Sequence, residues 1–326
     1  MRRMILSAVY AMSLARLFGQ GMTLSGSGYT TPQIRLAPGQ IVTLFVSNTK
    51  TVSSNQRATT VPLPTTLAGF SVGIRQLGTV ATTFPAALLS VQQGSVCEGN
   101  RTVPGCSMTA LTVQVPFEMV LQAEPPLPTE LIVNDNGTQS EPFLVAADED
   151  HIHALTTCET QGSMADGSPS SFQPCSGLVT HADGSLVSSK SPAKAGEVVV
   201  IFAVGLGPTS PAVKTGTATP TPAPVLANQI LTIQFDFRPN AVPSRPYVNP
   251  LILAAGVPGP IFAGLTPGQV GLYQINVKIP DSLPPIPACS GTSPVPFSGF
   301  VQSNLTIDIG GVNSFDGAAI CVQPLP

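Results

Sequence analysis

Tryptophan is absent from this chain of 326 residues, and tyrosine and histidine occur only four and three times. Sugar faces stack on aromatic rings, so a carbohydrate platform built on indoles is excluded. Charge is equally scarce: Asp, Glu, Lys and Arg make up 10% of the chain, against about a quarter in ordinary soluble domains. With 14 Lys and Arg and a net charge of −3, there is no cationic stripe to neutralise phosphates, and nucleic acid is not an expected partner. Long apolar runs are also missing, although mean hydropathy is positive. The longest one after the N-terminus, residues 250–265, is cut by prolines and glycines, so no transmembrane helix is expected in the mature chain. Helical periodicity is missing as well. Beyond the N-terminus only residues 84–91 suggest a short helical turn, which disfavours an α/β enzyme domain.

The usual catalytic and cofactor signatures are absent. There is no Gly-x-Ser-x-Gly elbow and no His-Glu-x-x-His. Residues 198–207 run from an apolar strand into Gly205-x-Gly207, but Pro208 and Pro211 forbid the helix that a dinucleotide fingerprint needs. Residues 134–138 lack the length and distal Glu of a calcium loop and read as a hairpin turn. No cofactor is expected.

What the chain has instead is Gly and Pro, 30 and 34 of them, the punctuation of short strands. Residues 262–280 show the pattern best. Pro267-Gly268 suits the centre of a type II turn. Tyr273, Ile275, Val277 and Ile279 then share one face of an extended segment, Gln274, Asn276 and Lys278 take the other, and Pro280 ends the ladder. This predicts a half-buried antiparallel strand with Ile275 facing inward. Phe202, in the apolar run 198–204, is expected to face inward too.

Met1-Arg2-Arg3 precedes an apolar run at residues 4–15, and Gly19 and Gly21 are small enough for a cleavage site, so residues 1–21 read as a secretory signal peptide. Export places the six cysteines in an oxidising compartment, where disulfides persist. Six cysteines allow many pairings. Position favours Cys97 with Cys106, Cys158 with Cys175 and Cys289 with Cys321, because each pair falls inside one segment. Stiffened, protruding loops of this kind are preferred contact surfaces.

Three landmarks recur in order in the two halves. Ala37-Pro38-Gly39-Gln40 leads into an apolar strand, as does Lys194-Ala195-Gly196-Glu197. An alternating strand stopped by Pro116 matches the one stopped by Pro280. A terminal hairpin turns at Asn136-Gly137, and its counterpart at Gly310-Gly311, residues suited to two-residue turns. The pattern predicts an all-β fold of two tandem immunoglobulin-like β-sandwiches, at residues 22–147 and 192–326, joined by a structured connector at 148–191 with one small hairpin at Asp183-Gly184.

These landmarks together resemble the duplicated immunoglobulin-like (IPT/TIG-like) C-terminal domain of secreted acidobacterial proteins. The matching stretches are APGQIVTLF (37–45), LPTTLAGFSV (63–72), LTVQVPFEM (111–119) and ELIVNDNGTQSEPF (130–143). In the second half they are residues 181–211, FAGLTPGQVGLYQINVKIP (262–280) and NLTIDIGGVNS (304–314). The resemblance covers most of the mature chain. It implies a sandwich pair and export, and brings no catalytic residues with it. The chain departs from the family in its cysteine-bearing insertions and at residues 148–153, where the family has a Pro-rich apolar segment.

That departure holds the one cluster with metal-ligand chemistry. His151 and His153, at i and i+2 of an extended segment, share a face and have Asp150 beside them as a third ligand. A solvated acidic linker explains the same run. His181 reads as a surface residue of the hairpin. The expected function is a secreted or cell-surface, non-catalytic binding or structural module whose partner is a protein or glycan of the envelope or the extracellular space. The competing expectation is an extracellular polysaccharide enzyme using Asp148, Glu149 or Asp150. Intact-mass analysis of the native protein should show loss of residues 1 to about 21, and a cytosolic species retaining Met1 would overturn export.

Overall fold

A computed structural model describes residues 22–27, 34–50, 52–95, 107–121, 126–155, 177–227, 231–236, 260–283, 303–309, 312–313 and 318–323. The expected signal peptide, Cys97, Cys106, Cys158, Cys175, Cys289 and the Gly310-Gly311 turn lie outside these residues. Every regular element among the described residues is a strand, and none of their segments is a helix long and apolar enough to cross a membrane.

In chain order the strands of the first half are β1 (Thr23–Ser27), β2 (Arg35–Leu36), β3 (Ile41–Ser47), β4 (Gln56–Arg57), β5 (Phe70–Leu77), β6 (Ala81–Pro85), β7 (Ala87–Ser95), β8 (Ser107–Gln114), β9 (Thr129–Asp135), β10 (Thr138–Gln139) and β11 (Phe143–Ala147). Those that follow are β12 (His153–Ala154), β13 (Val179–His181), β14 (Val198–Val204), β15 (Thr209–Ser210), β16 (Val225–Leu226), β17 (Leu231–Asp236), β18 (Phe262–Leu265), β19 (Tyr273–Lys278), β20 (Ser303–Ile309), β21 (Val312–Asn313) and β22 (Ala318–Ile320).

Among the described residues they form four sheets. One runs β1-β3-β8-β7-β4, a second β2-β11-β9-β5-β6 with β10 on β9, a third β12-β14-β19-β18-β16-β15 with β13 on β14, and a fourth β17-β20-β21 with β22 on β20. The first two bury a common cluster, in which Leu44, Leu88 and Leu111 meet Phe70, Ile74 and Leu131. The other two share a second cluster, in which Ile201, Tyr273 and Ile275 meet Ile233 and Ile320. Two sheets closing on one apolar layer make a sandwich-like arrangement, because each strand is apolar on alternate residues and must cover that face.

The recurring landmarks correspond to recurring ladders. The order β3-β8-β7-β4 has its counterpart in β14-β19-β18-β16, and β11-β9-β5 in β22-β20-β17. Even the entry turns match. Gly39 N–H donates to the Val115 carbonyl at 3.0 Å and Gly196 N–H to that of Ile279 at 3.1 Å, with both glycines at positive φ, 72° and 75°. The Gln40 side chain accepts from Ala37 N–H at 2.9 Å, and the Glu197 side chain from Lys194 N–H at 2.8 Å.

The strand expected at 273–279 is present, with Tyr273, Ile275, Val277 and Ile279 fully buried. The turn before it carries Gly268 at φ 72°, as a type II turn requires. The hairpin at Asn136-Gly137 has φ of 49° and 86°, the double positive φ of a type I′ turn. Two expectations fail. Residues 84–91 form the end of β6 and the start of β7, not a helical turn. A bulge between Leu88 and Ser90 breaks the period-2 pattern there, so that Leu88 and Val91, three residues apart, both reach the first core. Phe202 does not face the core: on β14, Val199, Ile201 and Ala203 are buried while Phe202 is half-buried on the opposite face. With every residue from 198 to 204 apolar, hydrophobicity carried no parity there. The segment expected to be a structured connector supplies β12 and β13 to the third sheet and Ile152, Ala154, Val179 and Val187 to the second core.

Ile275→Ala should therefore cost about 2–5 kcal/mol, the usual range for a fully buried aliphatic residue. Phe202→Ala should cost clearly less, and denaturant unfolding of both variants checks the assignment of faces.

Candidate functional site

Residues 148–155, which carry the candidate metal and acid–base side chains, lie along the end of β14. Asp148 N–H donates to the Leu36 carbonyl at 3.0 Å. Its carboxylate takes Arg35 Nε at 2.6 Å and Nη2 at 3.2 Å, and this pair holds the Arg35 guanidinium above its ordinary value. The ion pair is half exposed and adds little stability. Glu149 is exposed and Asp150 half-buried. His151 N–H donates to the Gly205 carbonyl at 2.8 Å, and His153 enters the sheet opposite Val204.

Gly205 and Gly207, rejected above as a nucleotide loop, have a different use. Both have positive φ, 77° and 88°. A Cβ at Gly205 would collide with the His151 carbonyl, and one at Gly207 with the Glu149 carbonyl. The glycines let residues 149–151 lie directly on this backbone. Tyr273 reinforces the same place, its buried hydroxyl donating to the Gly207 carbonyl. Burial pushes that phenol far above its ordinary value.

His151 and His153 are thus 9% and 1% exposed, so these two side chains are not solvated, whereas Glu149 before them is exposed. Ile152 and Ala154 alternate with them and enter the second core, so extended geometry places the two imidazoles on the other face. Among the described residues, no group of three or more His, Cys, Asp and Glu is gathered so as to hold a metal ion. Cys321 is disulfide-bonded. The other five cysteines lie outside the described residues.

A second array was not foreseen. His181, at the end of β13, is not a free surface residue: its Nδ1 makes a short contact with Glu197 Oε1. Its Nε2 lies 3.1 Å from the Ser191 carbonyl and 3.2 Å from Ser191 Oγ. Glu197 comes from the turn before β14 and Ser191 from a tight turn, closed by Ser188 N–H to the Ser191 carbonyl at 2.9 Å and Ser191 N–H to that of Ser188 at 3.1 Å. The strand pairing His181 with Val199 brings the three together. No spacing motif marks them, and the only sequence signal is that Glu197 stands where the first half has Gln40.

The hydrogen bond to Glu197 holds His181 above its ordinary value of 6.5; burial opposes this, and the Ser191 carbonyl and the charges of Glu197 and Asp183 support it. Burial pushes Glu197 up, but hydrogen bonds from His181 and the Lys194 N–H outweigh it, leaving the carboxyl below 4.5.

The two halves also meet directly. Gly216 N–H donates to Gln114 Oε1 at 2.7 Å, and Phe117 N–H to Thr215 Oγ1 at 2.9 Å. Thr215 Oγ1 donates to Glu118 Oε2 at 2.5 Å, and Leu63 N–H to the Gly216 carbonyl at 2.8 Å. Phe117 covers Gly39 and packs on the second core.

No family model matches the chain, and no curated protein is similar to it.

The His181–Glu197 pair has a definite pH signature. A raised His value gives stability that is complete below pH 6.5 and lost as pH rises through the folded value. A lowered Glu value gives stability that is complete above pH 4.5 and lost as pH falls through the folded value. The melting-temperature difference between wild type and His181→Gln should therefore be greatest between pH 4.5 and 6.5 and shrink on both sides. A difference independent of pH would show that the ion pair is not formed.

Proposed function

We propose that the chain is an exported pair of immunoglobulin-like β-sandwiches, related to the duplicated IPT/TIG-like domain it resembles, that acts as a binding or structural module at the cell surface or outside the cell. The observation that carries this reading is the hydrogen-bonded seam between the halves, in which Gln114, Phe117 and Glu118 engage Thr215 and Gly216. A module that presents loops to a partner gains from a fixed relation between its units, because less freedom is then lost on binding. The docking of residues 149–151 on Gly205 and Gly207 supports the same reading, since it replaces a free linker with packed backbone.

The partner is a protein or glycan of the envelope or the extracellular space, and no nucleic acid or cofactor is part of the proposal. The loops expected to be closed by Cys97 with Cys106 and by Cys158 with Cys175 are the proposed contact surfaces, and Cys289 is the proposed partner of Cys321. Function on loops carried by a rigid sheet scaffold is the common arrangement for such folds.

Labelled mature protein should bind saturably to envelope or extracellular material from its own source, and unlabelled protein should displace it. Pairwise serine replacement of Cys97 and Cys106, or of Cys158 and Cys175, should weaken that binding. Non-displaceable binding in every fraction would remove the binding reading.

A further inference from the structure

We infer that Ser191 is a nucleophile toward carboxylic esters, with His181 as its base and Glu197 as the residue that positions the base. This goes beyond the module reading and stands on different residues, so either can fail alone.

The starting observation is an internal comparison. In both halves the side chain after the positive-φ glycine closes the entry turn by accepting one backbone N–H, from Ala37 to Gln40 Oε1 and from Lys194 to Glu197 Oε2. The first half shows that a neutral amide is enough for that purpose. The second half has a carboxylate, whose other oxygen meets His181 Nδ1, and the far side of the same imidazole reaches Ser191 Oγ at 3.2 Å. A hydroxyl, an imidazole and a carboxylate in hydrogen-bonded sequence are what activation of a serine requires, whatever the fold and chain order.

Each member is held. Glu197 is fixed at both oxygens. His181 is in a strand paired with Val199. Ser191 is gripped by Ser188, whose Oγ also accepts the Ser191 N–H at 3.2 Å. Two residues on, Ala193 N–H donates to the Cys321 carbonyl at 3.0 Å. Ser191 itself is exposed, so an incoming acyl group can reach it.

The Ser191 carbonyl, 3.1 Å from Nε2, decides which protonation state does what. With the imidazole charged, Nε2–H is shared between that carbonyl and the hydroxyl. Once the proton is lost and Nδ1–H stays on Glu197, Nε2 carries a lone pair, and the hydroxyl is the group of Ser191 able to donate to it. Neutral His181 is therefore the form that draws the Ser191 proton. The charged groups acting on the array are Glu197 and Asp183 on His181, and Lys194 on Glu197.

In the reaction, Ser191 Oγ bonds to the acyl carbon while its proton passes to Nε2. The acyl C–O bond to the alcohol breaks, and the leaving oxygen takes that proton. Water, deprotonated by the same nitrogen, then attacks the acyl carbon; the acyl–Oγ bond breaks, Ser191 Oγ takes the proton back from Nε2, and the acid is released. An exposed turn suits an ester displayed on a large or flexible carrier better than a small enclosed molecule. Rate enhancement rests on nucleophile and base, so loss of the base should cost about 10²-fold or more.

The test uses the full mature chain, a fluorophosphonate probe read by peptide mass, and p-nitrophenyl acetate hydrolysis. Wild type should be labelled at Ser191, at a rate rising with pH through a midpoint above 6.5. Ser191→Ala should abolish labelling and His181→Gln reduce it about 10²-fold or more. Glu197→Gln keeps the turn closure, as Gln40 does, and should move the midpoint to lower pH, with its melting temperature falling below wild type only where the ion pair is formed, most between pH 4.5 and 6.5. Absence of labelling in wild type, labelling elsewhere than Ser191, or a rate unchanged in His181→Gln would each overturn the inference.

Discussion

The constraint on which the rest depends is the closure of the entry turn at Gly39 and again at Gly196. A glycine at positive φ lets the chain reverse sharply, and the next side chain caps the reversal. The backbone then joins the ladder through two bonds, Gly39 N–H to the Val115 carbonyl and Val115 N–H to that of Gln40, with Gly196, Ile279 and Glu197 repeating the pattern. This sets the register of β3 on β8 and of β14 on β19. Because side chains alternate, register decides which residues are buried, and a slip of one would turn Leu44 or Ile201 to the other face.

From those two strand pairs the cores follow. Each central pair lays alternate aliphatic residues on one face, and the opposing sheet covers them. The chain between the halves then has only a narrow path. It leaves β11, is held at Asp148 by Arg35, crosses Gly205 and Gly207, and enters the sheet as β12. The path is feasible because two glycines remove the Cβ atoms that would block it.

The same turn positions carry the chemical asymmetry between the halves. Gln40 is fully buried, and its amide nitrogen has no hydrogen-bond partner among the described residues. Glu197 at the equivalent place uses its second oxygen to hold His181. One substitution between repeats thus separates a purely structural cap from one coupled to an ionisable group.

Alternation and turn chemistry were readable in the sequence wherever polar residues separate apolar ones. The strand at 273–279, the hairpin at Asn136-Gly137, the turn at Pro267-Gly268 and the repeat of landmarks all follow from local rules of φ and pleat, which act over a few residues. Only the tertiary structure decided the facing of Phe202, because a run of apolar residues contains no parity. It alone decided that His151 and His153 are buried, since their cover comes from contacts distant in sequence. It alone brought Ser191, His181 and Glu197 together, because strand pairing between β13 and β14, not spacing along the chain, determines which side chains meet.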